Sequence, residues 1–137
     1  MNKKIEMSIK NEIPEIKKVC ESVAKFGNSN NLPQKIIFSL HLALDEILTN
    51  IISYGYEDKK EHKIDIRLSL HQGKLLLEIE DDSKPFNPSN APTPDVKKPL
   101  EERKIGGLGI YLVKNLMDDL EYKTHNGKNL LILRKRI

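Results

Sequence analysis

The stretch Leu44-Asp45-Glu46-Ile47-Leu48-Thr49-Asn50-Ile51-Ile52-Ser53-Tyr54-Gly55-Tyr56 carries two patterns at once. Wound as a helix that begins near Pro33, it sets Ile36, Leu40, Ala43, Leu44, Ile47, Leu48 and Ile51 on one broad apolar arc. Glu46, Thr49, Asn50 and Ser53 fall on a neighbouring strip, with Glu46 and Asn50 one turn apart. Gly55 follows the last helical residue. A carboxylate and a carboxamide at that spacing can share a site. The amide oxygen ligates a hard cation, and the carboxylate orients or deprotonates a nucleophile. The same strip also reads as a solvated helix face, since short spacings recur by chance.

Upstream of this helix, Ile5, Met7 and Ile9 alternate with polar residues, which predicts a short half-buried strand. Asn11 and Pro14 then introduce a helix carrying Ile16, Val19, Cys20, Val23 and Phe26, expected to end at Gly27 and the polar run Asn28 to Asn31. Downstream, Ile64, Ile66, Leu68 and Leu70 alternate cleanly up to His71-Gln72-Gly73-Lys74, and a second strand runs from Leu75 to Asp81. The pair predicts a β-hairpin. Residues 83–105 hold five of the seven prolines and little apolar periodicity, so they read as a long functional lid or a disordered segment. Gly106-Gly107-Leu108-Gly109 opens a third helix with Leu108, Leu112, Leu116 and Leu120 on one stripe, and two closing strands flank the tight-turn signal Asn126-Gly127. No internal repeat is present. The order predicts one α+β domain over residues 1–137, a two-layer sandwich with three helices on one face of a mixed, mostly antiparallel sheet.

Two further features invite a ligand. Leu75, Leu77 and Ile79 share one strand phase and Asp81 continues it, whereas Glu78, Glu80 and Asp82 occupy the other. An inward aspartate at a strand end is costly to bury without a partner, and a hydrogen-bond-donating ligand would supply one. The alternative is a frayed strand in which Asp81 caps a turn with Asp82 and Ser83. Clustered glycines at a helix start let the backbone approach an anion, and the free amides there suit phosphate. This is neither a Walker P-loop nor a Rossmann fingerprint, and alone it reads equally as a hinge. Taken together, the three features suggest a nucleotide with its metal.

Composition narrows the alternatives. Hydrophobic residues make up 38% and charged residues 31%, ordinary for a soluble globular chain. Lysine and arginine outnumber acids by 23 to 20, and the charges interleave, as in Lys59-Lys60-Glu61. With aromatics at 5% and no tryptophan, a nucleic-acid surface is not expected. The single cysteine, Cys20, excludes an internal disulfide and reads as a small buried hydrophobe, and the four histidines show no metal-ligand spacing. No signal sequence or membrane span is expected, and the cytoplasm is the default location.

In order and spacing these residues resemble the GHKL ATPase superfamily (gyrase, heat-shock chaperone, histidine kinase and MutL type), and within it the anti-sigma factor serine kinases. Leu44 to Tyr56 looks like the N box, Asp81-Asp82-Ser83-Lys84-Pro85-Phe86-Asn87-Pro88 like the first glycine box, and Gly106 to Asp118 like the second. Tyr122 and Gly127-Lys128-Asn129-Leu130 also suit this branch. The likeness covers Ile5 to Ile137 and implies a Bergerat-type fold with a long ATP lid. It implies ATP and magnesium as cofactors, with Asn50 as the magnesium ligand and Glu46 as general base or orienter of the attacking group. Asp81 would accept a hydrogen bond from the adenine amino group. Ser83, Pro85 and Leu108 belong to the implied nucleotide-binding set, and Gly106, Gly107 and Gly109 would form the phosphate turn and lid hinge. Arg103 matches a basic lid position. The implied partners are a STAS-type anti-sigma factor antagonist and a sigma factor, with homodimerisation through the first strand and helix. At this length an ordinary histidine kinase, with its sensor and phosphoacceptor domains, is not expected.

One position departs from the pattern: Ser83 stands where the first glycine box has glycine. Should that position require a positive φ, serine costs roughly 1 kcal/mol and shifts the adenine contact. Two functions therefore compete. One is a protein serine/threonine kinase, and the other is an ATP-occupied partner switch without phosphoryl transfer. A third, a degenerate pocket, rests on Ser83 alone.

Overall fold

A computed structural model describes residues 3–85 and 107–137. Its elements are β1 (Lys4–Lys10), α1 (Glu15–Ser29), α2 (Gln34–Tyr54), β2 (Lys63–His71), β3 (Lys74–Asp81), α3 (Gly107–Leu116), β4 (Asp119–His125) and β5 (Lys128–Arg136). The strands form one sheet in the order β1-β2-β3-β5-β4, and each neighbouring pair is antiparallel. The expected parallel component is therefore missing among the described residues. The return from β1 through the two helices brings β2 in antiparallel beside it, whereas β3 to β4 crosses over through α3, so that β3 and β4 run the same way with β5 between them.

Period-2 alternation decides which sheet face is buried. Ile64, Ile66 and Leu68 of β2, Leu75, Leu77 and Ile79 of β3, and Leu131 and Leu133 of β5 all point to the helices and share one core with them. The core face of α2 supplies Ile36, Leu40, Ala43, Leu44, Ile47 and Leu48, and α1 supplies Ile16, Val19, Val23 and Phe26. Helix α2 is long and apolar enough to cross a membrane by length and composition. Here its apolar arc is spent on the sheet. The opposite sheet face carries crossed ion pairs, Arg67 to Glu78 and Glu80, and Arg134 to Asp119 and Glu121.

Both predicted hairpins turn through two residues with positive φ: Gln72 (50°) with Gly73 (74°), and Asn126 (51°) with Gly127 (77°). That geometry suits the right-handed strand twist. A side chain at Gly73 or Gly127 would meet no atom within 4 Å, so both tips stand free. Because β3 and β5 run antiparallel, the Gly127 tip lies at the Asp81 end of the sheet and the Gly73 tip at the other.

Two helix expectations need correction. Helix α1 does not stop at Gly27. It runs to Ser29, and the reversal is made at Asn31 (φ 57°), with Leu32 N–H donating to the Gly27 carbonyl at 2.8 Å. Gly27 is instead a close-packing position, where a Cβ would lie 2.7 Å from the Ile37 side chain. In α3 the buried positions are Ile110 and Val113, continued by Met117 just past the helix end, while Leu112 is 41% exposed. Both stripes have helical spacing, so periodicity alone does not choose between them. The helix ends at Leu116, and Leu120 belongs to β4, because Asp118 N–H is drawn to the Arg134 carbonyl at 2.9 Å. Cys20 is half-buried against the core, and burial pushes its thiol pKa up.

Candidate nucleotide site

Asp81 sits at the inward end of β3, 5% exposed, as its register predicts. Three donors converge on its Oδ1: the Ser83 backbone N–H at 2.9 Å, the Ser83 hydroxyl, and Asn129 Nδ2 at 3.0 Å. No donor among the described residues reaches Oδ2. The two readings of Asp81 are thus both realised. It faces inward, and it also caps the turn through Ser83. Ser83 is not among the residues with positive φ, so the strain anticipated for a serine there does not arise. Its hydroxyl adds a donor that a glycine would lack.

Asn129 is the second buried polar residue at this strand end. It pairs with Asp81 across β3 and β5 and is equally buried. Its Nδ2 also donates to the Ser83 carbonyl at 2.8 Å, and the Tyr122 hydroxyl donates to its Oδ1 at 2.7 Å. The signal was available: Asn129, Leu131 and Leu133 share one strand phase, so a polar residue stood in the inward register of β5 as Asp81 does in β3.

Helix α2 links this end of the site to the other. Its C-terminus meets the strand end through Gly55, where a Cβ would lie 2.7 Å from Ser83 Cβ, and Lys84 N–H donates to the Gly55 carbonyl at 2.8 Å. Beyond Gly55, Tyr56 stacks on His62 with centroids 4.2 Å apart, and its hydroxyl donates to Asp82 Oδ1 at 3.3 Å. His62 stands between Asp58 (2.7 Å) and Asp82 (3.1 Å). Hydrogen bonding to Asp58 first, then Asp82, raises the imidazole pKa. Burial, and then the neighbouring Asp81 and Asp82 carboxylates, raise that of the Tyr56 hydroxyl. This cluster is invisible to local patterns, because it joins the α2–β2 connection to the residue just past β3.

Two turns before Gly55, Glu46 and Asn50 lie half-buried on the same side of α2, and Glu46 reaches the first turn of α3, where its carboxyl group touches Gly109. Burial first, and the adjacent Asp45 carboxylate second, raise the Glu46 pKa. Among the described residues no hydrogen bond engages the Glu46 carboxylate or the Asn50 carboxamide. No group of three or more His, Cys, Asp or Glu residues that could hold a metal occurs among the described residues. An all-protein metal cage is therefore not what this site offers. A single free amide oxygen fits magnesium that arrives with phosphates and keeps its waters.

Of the other expected site residues, Pro85 ends the first described segment and Gly107 begins α3. Leu108 is helical, with its side chain outside the described part. Arg103, Gly106 and the lid after Pro85 lie outside the described residues.

The serine-protein kinase RsbW of Bacillus cereus (strain AH187) is 29% identical over 134 residues, spanning 94% of this chain and 82% of that protein. The serine/threonine-protein kinase BtrW of Bordetella bronchiseptica is 29% identical over 99 residues, 72% of this chain and 70% of its own. Among solved structures, the RsbU and RsbW domains of Rv1364c from Mycobacterium tuberculosis superpose with a TM-score of 0.72 at 12% identity. That match covers 98% of this chain and 32% of the other, so this chain spans about a third of that protein and shares its fold. The histidine kinase-like ATPase domain matches residues 9–135. With that span, and with an N-box helix, an inward aspartate and a glycine-led third helix in the expected order, the chain belongs to the histidine kinase-like ATPase domain family.

Proposed function

We propose that the chain is a magnesium- and ATP-dependent protein serine/threonine kinase of the anti-sigma type. The observation that supports it most is Glu46, a half-buried carboxylate with a raised pKa, one helical turn from the free amide oxygen of Asn50. A carboxylate tuned upward is a better proton acceptor for a hydroxyl, and a non-catalytic switch has no need of it. The relatives named as serine kinases, similar over most of the chain, support the same reading.

In this reading Asp81 Oδ2 accepts the adenine amino N–H, since its Oδ1 is already committed to Ser83 and Asn129. Asn50 Oδ1 would hold magnesium, Ser83 and Pro85 would contact the base, and the family resemblance assigns Arg103, Gly106, Gly107, Leu108 and Gly109 to binding the phosphates. A magnesium ion there would supply charge neutralisation at the phosphates. Glu46 orients the serine or threonine hydroxyl of the substrate protein and takes its proton as that oxygen bonds to the γ-phosphorus and the bond from phosphorus to the β,γ-bridging oxygen breaks, with ADP leaving. The substrate is a STAS-type antagonist protein, and a sigma factor is the alternative partner in a cytoplasmic switch. Homodimerisation uses β1, whose outer edge is unpaired among the described residues.

The test is transfer of labelled γ-phosphate from ATP to a purified STAS-type antagonist, with the native chain and Glu46→Ala side by side. Labelling by the native chain and its loss in the variant, with ATP still bound, is expected. ATP binding without labelling by the native chain would favour the partner switch.

A further inference from the structure

Where α3 begins against α2, one side chain has been left out. A Cβ built on Gly109 would stand 1.9 Å from Glu46 Oε2, 2.0 Å from its Cδ and 2.5 Å from its Oε1. Carbon contacts are comfortable near 3.5–4.0 Å, so a methyl group and this carboxyl group cannot share the space. The three nearest atoms belong to one functional group. The other close-packed glycines differ: Gly27 faces the Ile37 side chain, and Gly55 faces a carbonyl and Ser83.

Backbone freedom does not explain the glycine. Gly109 lies within the helix Gly107–Leu116, and its φ is not in the left-handed region that favours glycine. In such a place alanine is the better helix former. Nor does a hydrogen bond hold Glu46, since none among the described residues engages its carboxylate. Contact with the Gly109 backbone remains as the feature that places it.

We infer that Gly109 is a positioning residue for Glu46: the missing side chain is the slot that seats the carboxylate against the first turn of α3. This rests on the reading of Glu46 as the general base. A larger residue at 109 pushes the carboxyl group out of the slot, and a displacement of about 1 Å at a proton acceptor is enough to cost on the order of 100-fold in rate. The slot also excludes water from one side of the carboxyl group, in keeping with its half-buried state.

The test is a thermal-unfolding cycle on four full chains: native, Gly109→Ala, Glu46→Ala, and the double variant. Gly109→Ala alone should lower Tm by roughly 3–6 °C, an overpacking cost. In the Glu46→Ala background the same change should leave Tm unchanged or raise it, because alanine then meets open space. Equal losses in both backgrounds overturn the inference. Should Gly109→Ala fail to fold, a folded double variant supports the slot and an unfolded one overturns it. A second readout is the carbon-13 NMR titration of the Glu46 carboxyl, assigned by its disappearance in Glu46→Ala. It should titrate above an ordinary glutamate in the native chain and fall toward one in Gly109→Ala; an unchanged titration overturns the inference. Phosphoryl transfer that survives Glu46→Ala would remove the base assignment and leave the slot standing, so the two failures are distinguishable.

Discussion

The two ends of the site are held in opposite ways. At the strand end, Asp81 is fixed by a network that runs from Tyr122 through Asn129 to Ser83, with three donors on one oxygen. At the helix end, Glu46 has no hydrogen bond among the described residues and rests on a glycine. A group that recognises a fixed pattern of donors gains from being locked, because its free oxygen then points one way. A group that must accept a proton is weakened by every donor that already holds it, since donors to a carboxylate lower its pKa. In the proposed reading, recognition is held by hydrogen bonds and proton transfer by packing.

Breaking the packed end should have the largest effect. Glu46→Ala should reduce phosphoryl transfer by roughly 10²–10⁴-fold while ATP affinity stays within a few-fold, measured by labelled transfer and by calorimetry. Next comes the locked end. In Asp81→Asn the three donors keep the remaining oxygen, so the new amide must face the adenine amino group as donor against donor. ATP affinity should fall about 10- to 100-fold, the loss of a charge-assisted hydrogen bond, in a calorimetric titration. Affinity that survives this change would mean that the base is read elsewhere.

Tyr122→Phe tests the network without touching the ligand. It removes a donor from the Oδ1 of buried Asn129, so stability should drop by about 1–3 kcal/mol in urea unfolding, with ATP affinity changed less. Ser83→Gly, which restores the family residue, removes one of three donors to Asp81. It should cost about 0.5–1.5 kcal/mol and leave binding nearly intact. If this variant binds ATP much more tightly, serine was an obstacle after all.

The smallest effect is the pH response of the His62 cluster. The folded His62 pKa is raised above 6.5 by Asp58 and Asp82, so its contribution is fully present below that value. It should fade as pH rises through the folded pKa. A Tm profile from pH 5.5 to 9 should show this decline in the native chain and a flatter line in His62→Gln. Glu46 has the opposite consequence for activity. As the proposed base, Glu46 with its raised pKa should place the acidic limb of the rate profile above the ordinary glutamate range, with transfer rising as the carboxyl group ionises.

What could be read in advance followed from strict periods. The alternation of β2 and β3 located the buried sheet face and offered Asp81 an inward place beside its turn-capping alternative, and the two glycine-ended turns were visible as pairs. Helix α3 was misread because Leu108, Leu112 and Leu116 compete with Ile110, Val113 and Met117 at the same spacing, and only the partner surface of α2 chooses between them. The roles of Gly27 and Gly109 were hidden for a related reason. Each glycine answers to a side chain on another helix, Ile37 in one case and Glu46 in the other. The fear attached to Ser83 came from a pattern rather than from its own backbone, whose φ stays in the ordinary range. Asn129 was legible by phase, but its hydrogen bonds depend on the β3–β5 pairing that no local window contains.

The two free hairpin tips give this domain a built-in pair of attachment points. The Asn126–Gly127 tip stands at the Asp81 and Asn129 end of the sheet, one strand step from the proposed base pocket. The Gln72–Gly73 tip stands at the far end, where Ile137 N–H reaches the Gly73 carbonyl. A fluorophore carried at the first tip would sense nucleotide arriving, and the same dye at the second would report only on tumbling and folding. One chain therefore supplies both a sensor position and its own reference.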